Sequence, residues 1–328
     1  MRTNKYLAIF LILFATVQLL PFFMSSSSFA ATDYPRKPIK FISSWPGGAG
    51  GDQEIRNFAL YLRKYLPVPM VIENVPGAGG KIGMTKAAKS EPDGYTLIYI
   101  TPPLQMTNEY LSKTDYVTKE FVPVYSYFKR TTLLLVNSES SWKTIEEFVK
   151  AAKERPLAIG LSGTGSATHL NALGVMKAWG VNFNNVFYET GSQAITQLAG
   201  KHIDVVIGMG TTVLPLVRAG KVKALLRFSE TPVEGYENVP GPSDKGYKIS
   251  YIYGLGGIIA PPKTPANVIK ILEQACDKTS RDPEFLDWAA KGKYEVIHSP
   301  SEEFRKRILE QYAIIEDSMP AIRALEKK

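Results

Sequence analysis

The chain contains only one cysteine, Cys276, and three histidines among its 328 residues. A single cysteine excludes a disulfide within the chain and a zinc site built from several thiolates. His169, His202 and His298 are too far apart in sequence to form a helix-borne metal motif. We therefore expect neither a metal nor a cofactor, and a fold whose stability comes from packing.

Long apolar runs are absent beyond the N-terminus. There, Arg2 and Lys5 precede a largely apolar stretch over residues 6–24, and a small-residue cleavage site follows at residues 28–30. This pattern predicts a cleaved secretory signal peptide over residues 1–30 and a soluble mature chain. The alternative is an uncleaved membrane anchor, because the run approaches the roughly 20 residues needed to span a bilayer.

The charge balance is mildly basic. The formal net charge is +8, and removing Arg2 and Lys5 with the signal peptide lowers it by two, to +6. A basic exported protein favours anionic ligands. The lysines and arginines are not clustered with aromatic side chains, so we expect no nucleic-acid partner.

Short β-rich runs alternate with segments of helical period. The predicted strands span residues 39–43, 70–73, 96–100, 122–127, 132–136, 158–161, 185–188, 205–207, 224–228 and 257–260, and the last two predicted helices span about 265–279 and 301–325. This alternation predicts an α/β protein with parallel sheets covered by helices. Two strand-to-helix turns rich in Gly and Ser lie about 115 residues apart, which predicts two similar lobes.

These two turns do not match nucleotide-binding motifs. The first turn has the sequence SSWPGGAGGDQE over residues 43–54, and the second has GTGSAT over residues 163–168. A dinucleotide fingerprint needs a glycine where the second turn has Thr168, and the glycines at 77, 79 and 83 are spaced one residue too long. Lys81 is not followed by the Ser or Thr of a phosphate-binding P-loop.

Catalytic motifs are equally scarce. The chain has no Gly-x-Ser-x-Gly elbow. An exported serine hydrolase would have to use Ser166 with His169, three residues apart on one segment. That alternative stays open at the sequence level, with inertness toward ester substrates as its test.

Backbone chemistry explains the glycines best. Glycines allow main-chain N–H groups to approach a ligand closely, and the first-turn amides of a helix favour an anion such as a carboxylate. Asp52 either caps the helix that follows the first turn or contacts the ligand. In the second turn, the hydroxyls of Thr164, Ser166 and Thr168 add donors. Two such turns facing each other would hold a molecule with two acidic ends.

Several stretches together carry a family resemblance: YPRKPIKFISSWPGGAGGD, VIENVPGAGGKIGMTKAAKSEPDGYTL, GTGSATHL, LAGKHIDVVIG and GLGGIIAPPKTP. In this order, from about residue 33 to about residue 315, the chain resembles the extracytoplasmic solute receptors of tripartite tricarboxylate transporters, the TctC or Bug family. The resemblance implies a periplasmic binding protein of the two-lobed type II or Venus-flytrap class, with a ligand cleft between the lobes and no catalytic activity.

The resemblance also implies the layout of the lobes and the site. One lobe would comprise residues 32–130 and 255–328, and the other residues 131–254. The implied ligand-binding residues are Trp45, Pro46, Gly47, Gly48, Ala49, Gly50 and Asp52 in the first turn, Gly163, Thr164, Gly165, Ser166, Thr168 and His169 in the second, and Gly208 and Met209 at a third strand end. The implied partners of a monomeric receptor are a small organic anion and the permease subunits of a transporter. Some family members instead report to a membrane signalling partner.

Two departures from the family pattern leave the solute open. Gly51 stands where a threonine is frequent and removes a hydroxyl donor from the first turn. Glu189 places an acid where a basic residue is common, so it either faces solvent, repels a second carboxylate or receives an amine. Tricarboxylates, dicarboxylates, aromatic acids and amino acids all remain candidates.

Overall fold

The computed structural model describes residues 34–326. The predicted signal peptide and the first two residues of the predicted first lobe lie outside them. The described strands are β1 (Ile39–Ser43), β2 (Met70–Asn74), β3 (Thr96–Ile100), β4 (Val122–Arg130), β5 (Thr132–Asn137), β6 (Leu157–Leu161), β7 (Phe183–Phe187), β8 (Val205–Met209), β9 (Val222–Arg227), β10 (Gly254–Ala260) and β11 (Glu295–Pro300).

The described α-helices are α1 (Gly50–Leu62), α2 (Lys81–Ala88), α3 (Leu104–Leu111), α4 (Ile145–Glu154), α5 (Ala167–Trp179), α6 (Gly191–Ala199), α7 (Gly210–Arg218), α8 (Ala266–Ser280), α9 (Pro283–Lys291) and α10 (Ser301–Glu326). No helix within residues 34–326 combines the length and the apolar character that crossing a membrane would require.

The strands form two sheets of similar topology. The first sheet has the order β11-β4-β10-β3-β1-β2, and the second has β7-β6-β8-β5-β9. In the first sheet β1 pairs in parallel with β2 and β3, and in the second β6 pairs in parallel with β7 and β8. Because β1 leads into α1 and β6 leads into α5, the two Gly-rich turns occupy equivalent positions.

The sheets are mixed, so the prediction of parallel sheets is wrong for part of each. Strand β10 is antiparallel to β3 and β4, and β5 is antiparallel to β8 and β9. Neighbouring parallel strands of one sheet require a long crossover connection between them. Strand β4 instead leads directly from the first sheet into β5 of the second, with only Thr131 between them. The chain is back in the first sheet at Gly254, where β10 begins.

Both faces of each sheet are buried by helices. On β5, Leu134 and Val136 join the core on one face, and Leu133 and Leu135 join the core on the other. This alternation follows from the two-residue period of a strand. It explains why residues 133–136 of β5 are all apolar instead of alternating apolar and polar residues.

The sequence prediction missed two elements near the C-terminus, α9 and β11. Helix α9 begins at Pro283 after Asp282, whose carboxylate accepts hydrogen bonds from the amides of Glu284 and Phe285. This is the usual acidic cap followed by proline. Strand β11 is only half-buried over most of its length, so its apolar signal is weak.

A buried ion pair lies where the chain passes between the sheets. Arg130, the last residue of β4, binds Glu54 of α1, and its Nη1 donates to the carbonyl of Leu255 at 2.6 Å. The Tyr99 hydroxyl also contacts Glu54. Burial lowers the pKa of Arg130 to about 10, so it stays charged at neutral pH. The pair therefore attaches the helix after the first turn to the crossing strand.

Candidate functional site

Asp52 holds the first turn in shape. Its carboxylate is 1% exposed and accepts hydrogen bonds from the amide of Gly48 at 2.8 Å, from Arg56 Nε at 2.8 Å and from Asn74 Nδ2 at 2.6 Å. Asn74 Nδ2 also donates to the carbonyl of Trp45 at 3.0 Å. The end of β2 is thereby connected to the turn that follows β1.

The carboxylate of Asp52 is ionised despite its burial. Burial by itself raises the pKa of Asp52, but the hydrogen bonds from Arg56, Gly48 and Asn74 together outweigh it and lower the pKa below its usual value. Asp52 is not the N-cap of α1, because that position belongs to Ala49, which makes no side-chain capping bond. The expected capping role is therefore wrong. Asp52 instead bridges the turn from inside the helix.

Gly51 is required by the indole of Trp45. A Cβ atom at position 51 would lie 2.3 Å from Trp45 Cδ1, so any side chain there would displace the ring. The absence of threonine at this position therefore has a packing cause. Trp45 is half-buried, and its Nε1–H is buried without a hydrogen-bond partner in the described part of the chain.

The free backbone donors of the first turn lie at the start of α1. The amide of Gly48 is bound to Asp52, and the amide of Ala49 donates to the carbonyl of Pro46 at 3.1 Å. Neither amide is available to a ligand in this conformation. The amides at positions 50, 51 and 52 belong to the first helical turn and have no intrahelical acceptor. Pro46, Gly47 and Gly48 are exposed beside them.

Hydroxyl groups hold the second turn in shape. Ser166 is the N-cap of α5: its Oγ accepts from the amide of His169 at 3.3 Å and donates to the carbonyl of Gly163 at 2.9 Å. Thr168 Oγ1 lies 2.9 Å from Ser166 Oγ and accepts from the amide of Ser162 at 3.1 Å. The hydroxyls of Ser166 and Thr168, which we expected to bind the ligand, are thus engaged within the turn.

His169 is fully buried in the first turn of α5, and its Nδ1 accepts a hydrogen bond from the amide of Gly165 at 3.1 Å. Burial lowers the pKa of His169 to about 4, so the ring is neutral at neutral pH. Because Nδ1 is an acceptor, the proton of the neutral ring resides on Nε2. Nε2 is buried and has no partner among residues 34–326.

The arrangement of Ser166 and His169 does not resemble the catalytic site of a serine hydrolase. Ser166 Oγ accepts from the backbone amide of His169, and the acceptor nitrogen of the ring is already bound to Gly165. No hydrogen bond between Ser166 Oγ and the His169 ring occurs in the described chain. The pair therefore lacks the nucleophile-to-base contact that such catalysis uses.

A third strand-to-helix turn, which the sequence analysis did not identify, contacts the second turn. Thr107 of α3 donates from Oγ1 to the carbonyl of Gly165 at 2.9 Å and is fully buried. Gly165 has a φ of +73°, and a Cβ there would lie 2.3 Å from Thr107 Cγ2. The sequence pattern that could have indicated this third turn is the segment Thr101-Pro102-Pro103, which follows β3 at the same carboxyl edge as the first turn.

Gly208 and Met209 lie at the end of β8, beside the crossing strands. Gly208 is buried opposite Leu133, and Met209 pairs with Thr132. Met209 also lines a small cavity together with Arg130 and residues of the segment that leads into β11. The ligand contacts proposed for these two residues stay a prediction.

Each turn presents neutral N–H groups of the kind that bind anions at helix N-termini. The first offers helix-terminal amides and Trp45 Nε1–H, and the second offers helix-terminal amides and His169 Nε2–H. Within residues 34–326 there is no group of three or more His, Cys, Asp and Glu side chains that could hold a metal ion.

The chain is similar to a known receptor family over most of its length. Residues 55–322 match the family model described as "Tripartite tricarboxylate transporter family receptor". Protein BugT of Bordetella pertussis is 27% identical over 308 residues, which cover 92% of this chain and 93% of BugT.

Solved structures of solute-binding proteins are also similar to this chain. A TctC solute binding protein from Polaromonas, solved without ligand, has a TM-score of 0.79 and 28% identity, covering 88% of this chain and 99% of its own. MatC from Rhodopseudomonas palustris, solved with bound malate, has a TM-score of 0.74 and 22% identity, covering 87% and 100% respectively. The second likeness shows a shared fold. These structures identify the fold as that of periplasmic solute-binding proteins.

Proposed function

Because the chain belongs to the tripartite tricarboxylate transporter receptor family, we propose that it binds a small organic carboxylate between its two Gly-rich turns and delivers it to a membrane permease. The binding takes place in the periplasm, after removal of residues 1–30. The protein returns the solute chemically unchanged and performs no catalysis. Malate, which MatC holds in its structure, belongs to the chemical class that we propose here.

The supporting observation is one unsatisfied N–H donor in each turn. Trp45 Nε1 and His169 Nε2 are both buried and both lack a partner among the described residues. A buried donor without an acceptor costs about 1–3 kcal/mol. A carboxylate oxygen is the natural acceptor for such a group, directly or through an ordered water molecule.

Micromolar binding requires more than the dipole of one helix N-terminus. A helix N-terminus stabilises an anion by roughly 0.3–1 kcal/mol, or up to about 2 kcal/mol when partly buried. Micromolar affinity requires about 8 kcal/mol. Charge-assisted hydrogen bonds contribute about 1.5–3 kcal/mol each, so this value requires several donors, which the two turns together supply.

We further propose that the sheets belong to separate lobes that close on the ligand. One lobe comprises residues 32–130 and 255–328, and the other comprises residues 131–254. The crossing at Thr131 supports this division, since a single residue separates β4 of one sheet from β5 of the other. Hinges of this kind need few residues.

The test is a binding screen on the mature chain by thermal shift and calorimetry, with mono-, di- and tricarboxylates and acidic amino acids. We expect at least one carboxylate to raise the melting temperature, since a ligand at a hundredfold excess over Kd stabilises by about 2.7 kcal/mol. Trp45→Phe removes Nε1–H and keeps an aromatic ring. It should weaken binding about tenfold.

Trp179→Phe is the matched control. Trp179 also has a buried Nε1–H without a partner among the described residues, but it is the last residue of α5, far along the helix from the second turn. Its substitution should leave the affinity unchanged. Equal effects of the two substitutions, or the absence of any carboxylate ligand, would contradict the proposal.

A further inference from the structure

The side chain of Phe187 lies against the second turn and is 42% exposed. It is the last residue of β7 and is paired with Leu161, the last residue of β6. Its ring meets the ring of His169 at a centroid distance of 5.0 Å and an interplanar angle of 81°. A large apolar surface therefore remains in contact with solvent next to the ring of His169.

Lysine and arginine are absent from the chain segment that contains the same turn. The chain has no lysine or arginine from Pro156 to Met176, which covers β6, the second turn and most of α5. At the first turn, Arg56 is already bound to Asp52 and Asn74. A second carboxylate on the ligand would thus find no free cation from these residues.

A negatively charged residue, Glu189, lies close to Phe187 in the sequence. Glu189 follows Phe187 by two residues, is exposed, and forms no ion pair within the described chain. Like charges repel over short distances, so Glu189 disfavours a second anionic group near Phe187. Most hydroxyls of the second turn are bound to one another, which leaves few donors for hydroxyl groups on the ligand.

From this placement we infer, building on the proposed function, that the solute is a monocarboxylate with an apolar body, and that Phe187 determines this specificity. The carboxylate lies against the N–H donors of the two turns. The aryl or alkyl body lies against the ring of Phe187, where burial of apolar surface adds affinity. The indole of Trp45 provides a second apolar surface at the first turn.

The experiment is calorimetric titration of the mature protein with phenylacetate, hexanoate, malate and citrate at one salt concentration. For the wild-type protein, we expect phenylacetate and hexanoate to bind at least about tenfold more tightly than malate and citrate. Phe187→Ala should weaken phenylacetate binding about tenfold and change malate binding less than about twofold. Phe187→Leu keeps apolar surface and should retain most of the hexanoate affinity.

Leu286→Ala is the matched control, because Leu286 is similarly exposed, at 38%, and lies on α9. It should change neither affinity. If malate or citrate binds more tightly than phenylacetate, or if Phe187→Ala affects all four compounds equally, the inference is overturned while carboxylate binding stands. If the wild-type protein binds none of the four compounds or any other carboxylate, the proposed function itself fails.

Discussion

The two Gly-rich turns occupy equivalent places in the two sheets but are held together by different chemistry. The first turn is organised by a buried charge, the carboxylate of Asp52, which binds Gly48, Arg56 and Asn74. The second turn is organised by neutral groups, chiefly Ser166 and the ring of His169. Equivalent topology therefore does not impose equivalent side chains.

The two turns nevertheless share one arrangement of hydrogen-bond donors. In each turn most polar side chains are bound within the turn, and the donors that remain include main-chain amides and one ring N–H. A charged group that pointed into the site would bind one solute strongly and release it slowly. Neutral donors hold an anion without that fixed charge, which suits a receptor that must release its ligand.

The largest expected effect concerns the packing of the second turn. Gly165→Ala forces a positive φ on alanine and places its Cβ against Thr107, so we expect a loss of about 4 kcal/mol in the free energy of unfolding. Gly163→Ala is the matched control: Gly163 also has a positive φ, +88°, but open space at its Cβ position, so its cost should be about 1–2 kcal/mol. Urea denaturation measures both.

A double variant tests the cause of that loss. Thr107→Ser removes Cγ2, the atom closest to the new Cβ, and keeps the hydroxyl that binds the Gly165 carbonyl. Combined with Gly165→Ala, it should recover part of the free energy of unfolding that Gly165→Ala alone loses. Purely additive effects would show that contact with Thr107 is not the reason.

The next largest expected effect is a pH dependence of stability that originates in the second turn. His169 has a folded pKa of about 4, below the ordinary value near 6.5, so its neutral form is stabilised by folding. The stability that it contributes is fully present above pH 6.5 and is lost as the pH falls toward 4, by up to about 3 kcal/mol. Unfolding free energies measured by urea at several pH values between 7 and 4 check this.

His169→Asn, which keeps an acceptor near the Gly165 amide, should show a shallower loss over this range. His202→Asn alters an exposed histidine and should retain the wild-type pH profile. If both variants lose stability in parallel with the wild-type protein, the acid sensitivity does not originate in the second turn.

The smallest of these effects concerns the first turn. Asp52→Ala leaves the Gly48 amide without its acceptor, removes one of the two acceptors of Asn74 Nδ2, and should cost about 2 kcal/mol of stability. Asp287→Ala breaks an exposed ion pair with Lys291 on α9 and should cost less than about 0.5 kcal/mol. Thermal and urea denaturation compare them. Equal losses would mean that burial of Asp52 adds nothing to the stability of the turn.

Much of the fold could be predicted from sequence patterns. The predicted strand at 39–43 coincides with β1, and the two predicted C-terminal helices begin and end within one or two residues of α8 and α10. Long apolar or strongly periodic segments give such clear signals because their burial depends on local spacing. The half-buried β11 lacked that signal and was missed.

The candidate site could be predicted only in part. Both turns were evident from their glycines, because positive φ values restrict the residue type at Gly48, Gly163 and Gly165. The donors that are free, and those that are engaged, could not be predicted. Hydrogen bonds such as Gly48 to Asp52, or Thr107 to Gly165, depend on distances between segments that only the folded chain defines.

By itself, the sequence determined the α/β class and the position of the two turns, since these follow from local spacing and residue type, and the resemblance of several stretches indicated the family. Tertiary structure alone decided the mixed direction of the strands, the need for Gly51 under the indole of Trp45, the neutral state of His169 and the place of Phe187 beside it. The physical reason is that burial, pKa and free hydrogen-bond donors are properties of contacts between segments distant in the chain, and such contacts exist only after folding.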